Sequence, residues 1–379
     1  MFRISQFIAE IDTPTPAGPH RNPSGPVVIW NLLRRCNLTC QHCYSVSTDT
    51  HFPGELSTPE IYRVMDDLKA ARVPVLILSG GEPLLHPDIF AIARRAKAMG
   101  FYVALSSNGT LINAQNIGEI AACHFDYVGV SLDGLGATHD RFRRMEGAFE
   151  ASLNAIRLCR DLELKIGVRY TMTQDNAQDL PGLLALIEHE AIDRFYFSHL
   201  NYAGRGNKNR ASDARHRMTR EAMTLLFDTA LALRRRGVVK EFTSGNNDAD
   251  GVWFLHWVRA NFPERAAHIE AKLQQWGGNA SGVNVANIDN LGKVHPDTMW
   301  WHRTLGDVRE RSFGDIWHDR SDPVMAGLQG FPRPVEGRCA TCAHLRLCNG
   351  NTRVRAEQLS GNVWAEDPGC YLSDEEIAH

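Results

Sequence analysis

The sequence predicts an α/β protein built on a parallel sheet with helices packed outside it, followed by a smaller C-terminal domain. Apolar runs of strand length recur between residues 27 and 200, and stretches with helical spacing separate them. Six such units of ~25–35 residues imply parallel strands. Polar or glycine-rich motifs follow the strands, at the edge where parallel α/β proteins carry their chemistry.

Each predicted element rests on its own local pattern. The predicted strands cover residues 27–33, 75–78, 102–105, 127–132, 165–171 and 194–200. The first helix begins at Thr58, because Pro59 suits the first helical position. The second contains Ile89 and Ile92 and ends at Gly100. Further helices are predicted near 114–122, 149–160 and 178–190.

Composition divides the remainder of the chain. At 379 residues the chain is long enough for one large domain and a smaller one. Residues 1–26 include a proline-rich stretch and are predicted to form an extended lead-in. The parallel unit is assigned to 27–235, a linker with helices to 236–290, and the smaller domain to 291–379.

Charge and hydropathy exclude several classes of protein. A hydrophobic fraction of 43% is ordinary for a globular domain, and a net charge of −3 gives no electrostatic case for nucleic acid or an anionic membrane. No apolar run reaches the roughly 18 residues of a membrane span. The first residues lack the pattern of a secretory signal. We therefore expect a cytoplasmic protein with no nucleic-acid or membrane partner.

Three cysteines directly follow the first predicted strand, as Cys36-x3-Cys40-x2-Cys43. A 4Fe–4S cluster needs thiolate ligands on a compact loop. Three thiolates cover three irons and leave the fourth open to a further ligand. The alternatives are a structural zinc site, for which His42 is the nearby fourth ligand, or three unrelated thiols.

A second group of four cysteines lies near the C-terminus. Cys339, Cys342 and Cys348 have the spacing C-x2-C-x5-C, and Cys370 follows. Four thiolates can ligate a cluster completely, whereas the alternative is a zinc knuckle. Clustering of this kind favours metal binding in a reducing compartment over disulfides. The remaining two, Cys123 and Cys159, lie in predicted helices and are interpreted as small buried hydrophobic residues.

The cysteine triplet resembles that of radical S-adenosylmethionine (SAM) enzymes, and the resemblance extends from about residue 27 to 372. It implies a partial (β/α)6 radical SAM barrel with a smaller C-terminal SPASM/twitch-like iron–sulfur domain. It also implies that the open iron binds SAM, whose cleavage gives a 5′-deoxyadenosyl radical. Cys36, Cys40 and Cys43 are then the catalytic cluster ligands.

The resemblance implies a set of SAM contacts at successive strand ends. Gly80, Gly81, Glu82 and Pro83 match the motif that receives the methionine amino group. The further contacts implied are Ser106, Asn108, Ser131, Asp133 and Arg143, the last pairing with the SAM carboxylate. Each of these residues has an alternative role in a turn, a helix cap or a solvated basic segment, and Arg141 and Arg144 compete with Arg143.

The C-terminal cysteines resemble the SPASM extension, which carries auxiliary clusters. Two cysteines of the fuller pattern are replaced in this chain by Asp297 and Thr352. The resemblance therefore implies one auxiliary 4Fe–4S cluster, on Cys339, Cys342, Cys348 and Cys370, and two clusters in all.

Finer features resemble the radical SAM enzymes of tetrapyrrole side-chain modification. These features are Val294-His-Pro-Asp297, the segment after Ser198, and the one-cluster tail. Among these enzymes they are most similar to the haem d1 biosynthesis enzymes of denitrifying bacteria. The implied reaction removes or oxidises two propionate side chains of 12,18-didecarboxysiroheme. The implied electron donor is of the flavodoxin or ferredoxin type.

Three other functions stay open at this point. One is a related haem-pathway decarboxylase that acts on coproporphyrin-type propionates. Another is a SPASM-type peptide maturase, for which residues 1–26 are too short to form a peptide-docking domain. The third is an iron–sulfur electron carrier or zinc-stabilised scaffold, which has no need of the SAM-contact motifs.

A multi-carboxylate tetrapyrrole needs cationic anchors and an apolar wall. Candidate anchors are the basic residues Arg205, Lys208, Arg210, Arg215, Arg217 and Arg220, although such a run is usually a solvated surface. Candidate wall residues are Trp253, Trp257, Trp300 and Trp301. Candidate ligands of a substrate iron are His199, His295 and His302, each of which is otherwise a structural or solvated histidine.

Overall fold

The computed structural model describes residues 1–16, 18 and 25–378 of the chain. In these ranges one sheet holds all the named strands. The strands are β1 (Val27–Asn31), β2 (Val75–Ser79), β3 (Tyr102–Ser107), β4 (Tyr127–Ser131), β5 (Ile166–Met172), β6 (Arg194–His199), β7 (Glu241–Gly245), β8 (Val285–Ile288), β9 (Lys293–His295) and β10 (Gly306–Asp307).

Helices surround this sheet. They are α1 (Ile4–Asp12), α2 (Thr58–Ala70), α3 (Ile89–Ala98), α4 (Ile117–Ala122), α5 (Ala137–Arg143), α6 (Ala148–Asp161), α7 (Leu180–His189), α8 (Gly204–Lys208), α9 (His216–Arg235), α10 (Ala249–Asn261), α11 (Ala266–Trp276), α12 (Phe313–His318), α13 (Pro323–Leu328), α14 (Leu345–Cys348), α15 (Arg353–Ser360) and α16 (Asp374–Ala378). Short 3-10 turns cover Pro83–Leu85, Ala177–Asp179, Arg210–Ser212, Pro263–Arg265 and Gly337–Cys339. Within the described ranges, no helix has both the length and the apolarity needed to cross a membrane.

The six predicted strands are confirmed, and they pair in parallel in chain order from β1 to β6. Alternate residues on one face enter the main core, as Val28 and Trp30 of β1 do. The helix start predicted at Thr58 is also confirmed. Ser57 and Glu60 form a capping box there, and a proline occupies the first turn. These elements place all six strand ends, and the loops that follow them, along one edge of the sheet.

The sheet continues beyond the six predicted strands. Residues 236–290, assigned to a linker with helices, do contain the helices α10 and α11, but they also contain two strands of the sheet. That stretch contains β7, which pairs in parallel with β6, and β8, which pairs in parallel with β1. The antiparallel strands β9 and β10 then join the C-terminal stretch to the same sheet. These strands are short and contain polar or charged residues, so they form no apolar run, and long-range pairing decides their conformation.

The N-terminal stretch also differs from its prediction as an extended lead-in. Ile4–Asp12 forms α1, whose Ile4, Ile8 and Ile11 are buried at helical spacing. Phe2 exchanges two backbone hydrogen bonds of 2.8 Å with Ser244 and so covers the edge of β7. Residues 17 and 19–24 of the predicted lead-in lie outside the described residues.

We expect Phe2→Ala to destabilise the fold by ~3–5 kcal/mol, because it empties a buried aromatic site. The Phe2 ring is 1% exposed, and its centroid lies 5.5 Å from that of Phe254 and 5.3 Å from that of Trp276. Urea unfolding measures the loss, with Val239→Ala as the matched control because Val239 is 91% exposed. Equal unfolding midpoints for the two variants would contradict the docked N-terminus.

Candidate active site

Three cysteines lie on one loop after β1, and their thiols are largely shielded from solvent. Cys36 and Cys40 are buried and Cys43 is half-buried, with Leu38 packed among them. Burial raises the pKa of Cys36 to about 12, and the charges of Cys40 and Cys43 add to that rise, so the three sulfur atoms lie close enough to interact. Each thiolate of a 4Fe–4S cluster binds a different iron, and three neighbouring thiols on one loop fit that donor set.

The electrostatic surroundings of the loop differ from one thiol to the next. Burial raises the pKa of Cys40, and the nearby Arg143 guanidinium opposes that rise. At Cys43 burial also acts to raise the pKa, but the Ser45 hydroxyl and the Arg205 charge outweigh it and lower the pKa. A cationic, hydrogen-bonding environment of this kind suits thiolate ligands.

Helix α8 packs against the cysteine loop and engages its carbonyl groups. The Arg205 amide donates to the Cys43 carbonyl at 2.9 Å. Its guanidinium donates to the carbonyls of Cys40 at 2.7 Å and Ser47 at 2.9 Å. A Cβ on Gly204 would lie 2.6 Å from the Cys43 carbonyl oxygen, so only glycine allows this approach. Arg205 therefore stabilises the loop and is not available as a substrate anchor.

Gly80 and Gly81 lie beneath the start of the same loop. The Gly81 amide donates to the Leu33 carbonyl at 2.8 Å. A Cβ on Gly80 would lie 2.6 Å from the Leu33 carbonyl oxygen, and one on Gly81 would overlap the carbonyls of Arg34 and Arg35. The two glycines were expected to contact SAM. In the structure, their backbone contacts the start of the cysteine loop instead.

Glu82 joins the end of β2 to the end of β3. Its fully buried carboxylate accepts hydrogen bonds from the Ser107 hydroxyl at 2.9 Å and the Asn108 amide at 2.8 Å. The Leu84 amide donates to the same carboxylate at 3.2 Å. Burial raises the pKa of Glu82 to about 7, against these hydrogen bonds. These contacts favour a role for Glu82 in holding the loops at the strand ends over direct contact with a ligand.

Asn108 lies between the ends of β3 and β1. Its side-chain amide donates to the Asn37 side-chain oxygen at 2.9 Å and lies 3.9 Å from the Cys36 sulfur. The Ser152 hydroxyl donates to its backbone carbonyl at 2.8 Å. Asn108 therefore reaches the cysteine loop directly, as expected for a residue at a neighbouring strand end.

Asp133 and Arg143 form a buried ion pair beside the cysteine loop. The Arg143 Nη1 group lies 3.5 Å from the Cys40 sulfur. The other Asp133 oxygen accepts from the Thr171 amide at 2.7 Å, and His42 Nε2 lies 3.8 Å from the pair's carboxylate. Arg141 and Arg144 are exposed, so Arg143 is the arginine of this segment that points inward.

Arg169 was missed in the sequence. It lies on β5 in register with Ser131, and its guanidinium donates to the Ser106 hydroxyl. A Cβ on Gly129 would lie 2.8 Å from the Arg169 Nε atom, so a glycine of the intervening strand makes room for it. Arg169 thus bonds to one predicted SAM contact, Ser106, and lies opposite another, Ser131, in the sheet. A charged residue in an otherwise apolar strand was the signal available for it.

Two further arginines of the basic run, Arg220 and Arg217, differ in their surroundings. Arg220 pairs with Glu376 at 2.6 Å and donates to the Tyr371 carbonyl at 2.7 Å, which fastens α9 to the C-terminal tail. Arg217 is exposed and pairs only along its own helix, with Glu221 at 3.4 Å. Arg220 is therefore not an open anchor, and Arg217 matches the solvated alternative.

Arg215 differs from the rest of the run because it lines a cavity of about 320 Å³. The cavity lies beside the end of β6, where His199 and Tyr202 contribute to its wall. Gly369, which precedes the ligand candidate Cys370, contributes from the C-terminal tail. The exposed Arg215 side chain therefore faces a space between the sheet and the tail.

Each of the three candidate iron-binding histidines already has a carboxylate partner. The pairs are His199 with Asp250 at 3.0 Å, His295 with Asp289 at 3.2 Å and His302 with Glu357 at 2.6 Å. His295 is also bonded through its other nitrogen to the Arg303 carbonyl at 2.7 Å. The structural alternative is the better interpretation for these histidines.

Trp301 is the tryptophan of the proposed wall that approaches the cysteine loop. Its ring centroid lies 6.0 Å from that of Tyr44, the residue after Cys43. The other three bond to or pack within the protein. Trp253 donates to Thr224, Trp257 donates to Asp228, and Trp300 is buried in a small separate core. The contacts therefore do not support the prediction of a substrate-binding wall made of all four tryptophans.

The four C-terminal cysteines occupy one region. Burial strongly raises the pKa of Cys348, and the charges of Cys370, Cys342 and Cys339 add to that rise. The Arg338 guanidinium lies 3.6 Å from the Cys370 sulfur. As in the first loop, several mutually interacting thiols beside a cation fit the donor set of an iron–sulfur cluster. Within the described residues, no three His, Cys, Asp or Glu side chains are grouped as the ligands of a single metal ion.

Hydrogen-bonded polar side chains occupy the two positions where the fuller SPASM pattern has cysteine. Asp297 is bonded to the Ser281 hydroxyl and accepts from the Met299 amide at 2.7 Å. The Thr352 hydroxyl donates to the Asn246 carbonyl at 3.1 Å. Both are integrated into the local structure.

Cys123 and Cys159 are buried, at 1% and 0% exposure, and both join the main hydrophobic core. Burial raises the pKa of Cys159 to about 12. This agrees with their interpretation as small apolar residues, and it makes Cys159 a suitable control for substitutions of the loop cysteines.

Comparison with known proteins agrees with this geometry. A family model described as the radical SAM superfamily matches residues 30–187. The chain is 52% identical to pre-heme d1 synthase of Dinoroseobacter shibae, over 98% of this chain and 93% of that protein. It is 42% identical to Fe-coproporphyrin III synthase of Methanosarcina barkeri, over 93% of this chain and 90% of that protein.

The fold also matches solved structures. The S-adenosylmethionine-bound crystal structure of SuiB from Streptococcus suis superimposes with a TM-score of 0.70, covering 97% of this chain and 81% of that one. The two sequences are 16% identical, so this likeness concerns the fold alone. It confirms the predicted α/β architecture with a C-terminal extension.

We expect Gly81→Ala to disrupt the cysteine loop, because the added methyl group would overlap backbone carbonyls that cannot move independently. After anaerobic reconstitution, the variant should contain less iron than the wild type. Gly118→Ala is the matched control, since a Cβ there meets nothing within 4 Å. Equal iron contents in the two variants would show that the glycine does not support the loop.

Proposed function

The chain belongs to the radical SAM superfamily, and on that basis we propose that it removes or oxidises two propionate side chains of 12,18-didecarboxysiroheme in haem d1 biosynthesis. The observation that carries the proposal is the 52% identity to a pre-heme d1 synthase over nearly the whole chain. The cysteine loop and the polar strand ends around it supply the matching site.

The residues of the loop would bind the catalytic cluster through Cys36, Cys40 and Cys43. Together with SAM, the bound cluster supplies a 5′-deoxyadenosyl radical for hydrogen abstraction. The proposed SAM-binding set comprises Gly80, Gly81, Glu82, Pro83, Ser106, Asn108, Ser131, Asp133 and Arg143, to which we add Arg169. Because Glu82, Asp133 and Arg143 are buried and bound to protein partners, we assign them to positioning. Ser106, Ser131 and Arg169 are partly exposed, and we assign them to contact with SAM.

We further propose a single auxiliary 4Fe–4S cluster on Cys339, Cys342, Cys348 and Cys370. The interaction of these thiols and the cation beside them support it. The electrons would come from a flavodoxin- or ferredoxin-type donor, and the reducing conditions that such clusters require fit the cytoplasm.

Substrate anchoring is proposed for Arg215 and Trp301. Arg215 is exposed and lines the cavity between β6 and the tail, so its guanidinium is accessible to a carboxylate. Trp301 offers a partly exposed ring near the cysteine loop. The remaining tryptophans and Arg205 and Arg220 are excluded from this role by their contacts within the protein.

The second candidate function is decarboxylation of coproporphyrin-type propionates. The 42% identity to an Fe-coproporphyrin III synthase favours it over a peptide maturase. The two tetrapyrrole reactions share the same cofactors and differ in the substrate, so substrate choice separates them.

The function is tested by anaerobic incubation with 12,18-didecarboxysiroheme, SAM and reductant, followed by product mass. We expect 5′-deoxyadenosine and a mass change at both propionates. Cys40→Ala should abolish both products, whereas Cys159→Ala, a buried thiol of the main core, should retain them. Turnover of a coproporphyrin with none of didecarboxysiroheme would favour the second function.

Arg215→Gln should weaken substrate binding about tenfold, the loss that corresponds to one charge-assisted hydrogen bond of ~1.4 kcal/mol. Arg217→Gln is the matched control, because it removes the same charge two residues away from a solvated side chain. Fluorescence or absorbance titration with the tetrapyrrole measures both. Indistinguishable affinities would exclude Arg215 as an anchor.

A further inference from the structure

We propose that Arg143 sets the reduction potential of the SAM-binding cluster by donating a hydrogen bond to the sulfur of Cys40. Asp133 is the residue that fixes the guanidinium in place. The inference rests on the proposed function to the extent that Cys40 is a cluster ligand. It concerns a property of the cluster that can be measured without substrate.

Both Nη groups of Arg143 already have contacts within the protein. Its Nη1 group lies 3.5 Å from the Cys40 sulfur, within hydrogen-bonding range for sulfur, and its Nη2 group pairs with Asp133. Asp133 is fully buried and is itself held by the Thr171 amide at 2.7 Å. A carboxylate that bound Arg143 through both Nη groups would have to displace Asp133, and only the Nε atom of the guanidinium has no partner within the described residues.

The backbone around Arg143 is also tied to the cysteine loop. The Gln41 amide donates to the Phe142 carbonyl at 3.1 Å, and its side chain donates to the Arg141 carbonyl at 3.3 Å. The last turn of α5 and the loop between Cys40 and Cys43 therefore move together, and the contact between the guanidinium and the sulfur has little freedom to open.

The chemistry of reduction explains why such a contact matters. One electron from the external flavodoxin- or ferredoxin-type donor adds one negative charge to the cluster and its thiolates. A cation that donates to a ligand sulfur stabilises that added charge, so it raises the midpoint potential. Arg143 is 7% exposed, and solvent screens a buried charge weakly.

Arg35 provides a matched comparison. It adjoins the ligand Cys36 in sequence, but its side chain is 50% exposed and pairs with Asp49 at 2.6 Å. Arg143→Gln and Arg35→Gln remove the same charge near the same loop. Only the first removes a donor to a ligand sulfur.

The test is a redox titration of the reconstituted holoenzyme without SAM, in which EPR monitors reduction of the cluster and gives its midpoint potential. The relevant signal is the one that changes when SAM is added. We expect Arg143→Gln to shift the potential to more negative values, Arg143→Lys to give a smaller shift in the same direction, and Arg35→Gln to match the wild type. If Arg143→Gln does not retain its iron, the midpoint potential of Arg143→Lys is compared with that of the wild type instead.

Two results would overturn the proposal. One is a potential in the Arg143 variants equal to that of Arg35→Gln. The other is weaker SAM binding with an unchanged SAM-free potential, which would return Arg143 to the SAM carboxylate. If the wild type shows no 4Fe–4S signal that responds to SAM, the proposed function fails instead, so the two failures are distinguishable.

Discussion

The site depends on one constraint, which is that the conformation of the cysteine loop must be fixed by hydrogen bonds from other segments of the chain. The loop between β1 and α2 contains no helix or strand, so its backbone groups need partners elsewhere. Gly81, which follows β2, and Arg205, which lies in α8 after β6, donate hydrogen bonds to its carbonyl groups. The parallel pairing of β1 with β2, and of each later strand with the next, brings these partners to one edge.

The same constraint explains why residues far apart in sequence meet around three thiols. Glu82 links the second and third strand ends, Asn108 reaches the loop from the third, and Asp133 holds Arg143 against Cys40 from the fourth. Fixed donors and charges around a cofactor determine its orientation and its electronic properties. We therefore propose that the chain fixes the position of the cluster and that polar side chains at the strand ends contact SAM.

The sequence was sufficient for the features that have strong local patterns. Six apolar strands and the helix start at Thr58 were correctly predicted, and the cysteine spacings identified the family. The strands β7 (Glu-Phe-Thr-Ser-Gly) and β8 (Val-Ala-Asn-Ile) were missed because polar residues interrupt them, and α1 was missed because prolines follow it. The roles of Gly80, Gly81 and Arg205 could not be predicted, since each depends on which distant backbone lies next to it. Arg169 was missed although its position as a charged residue within a predicted strand was visible in the sequence.

The central claim is that three cysteines hold a cluster whose fourth iron is open to SAM at this strand edge. Pulsed electron–nuclear double resonance on the reduced holoenzyme, with SAM labelled by 15N at the amino group and 17O at the carboxylate, tests it most directly. The account predicts hyperfine couplings from both labels to one of the clusters. Absence of both couplings, in a sample in which SAM binding is saturated, would contradict it.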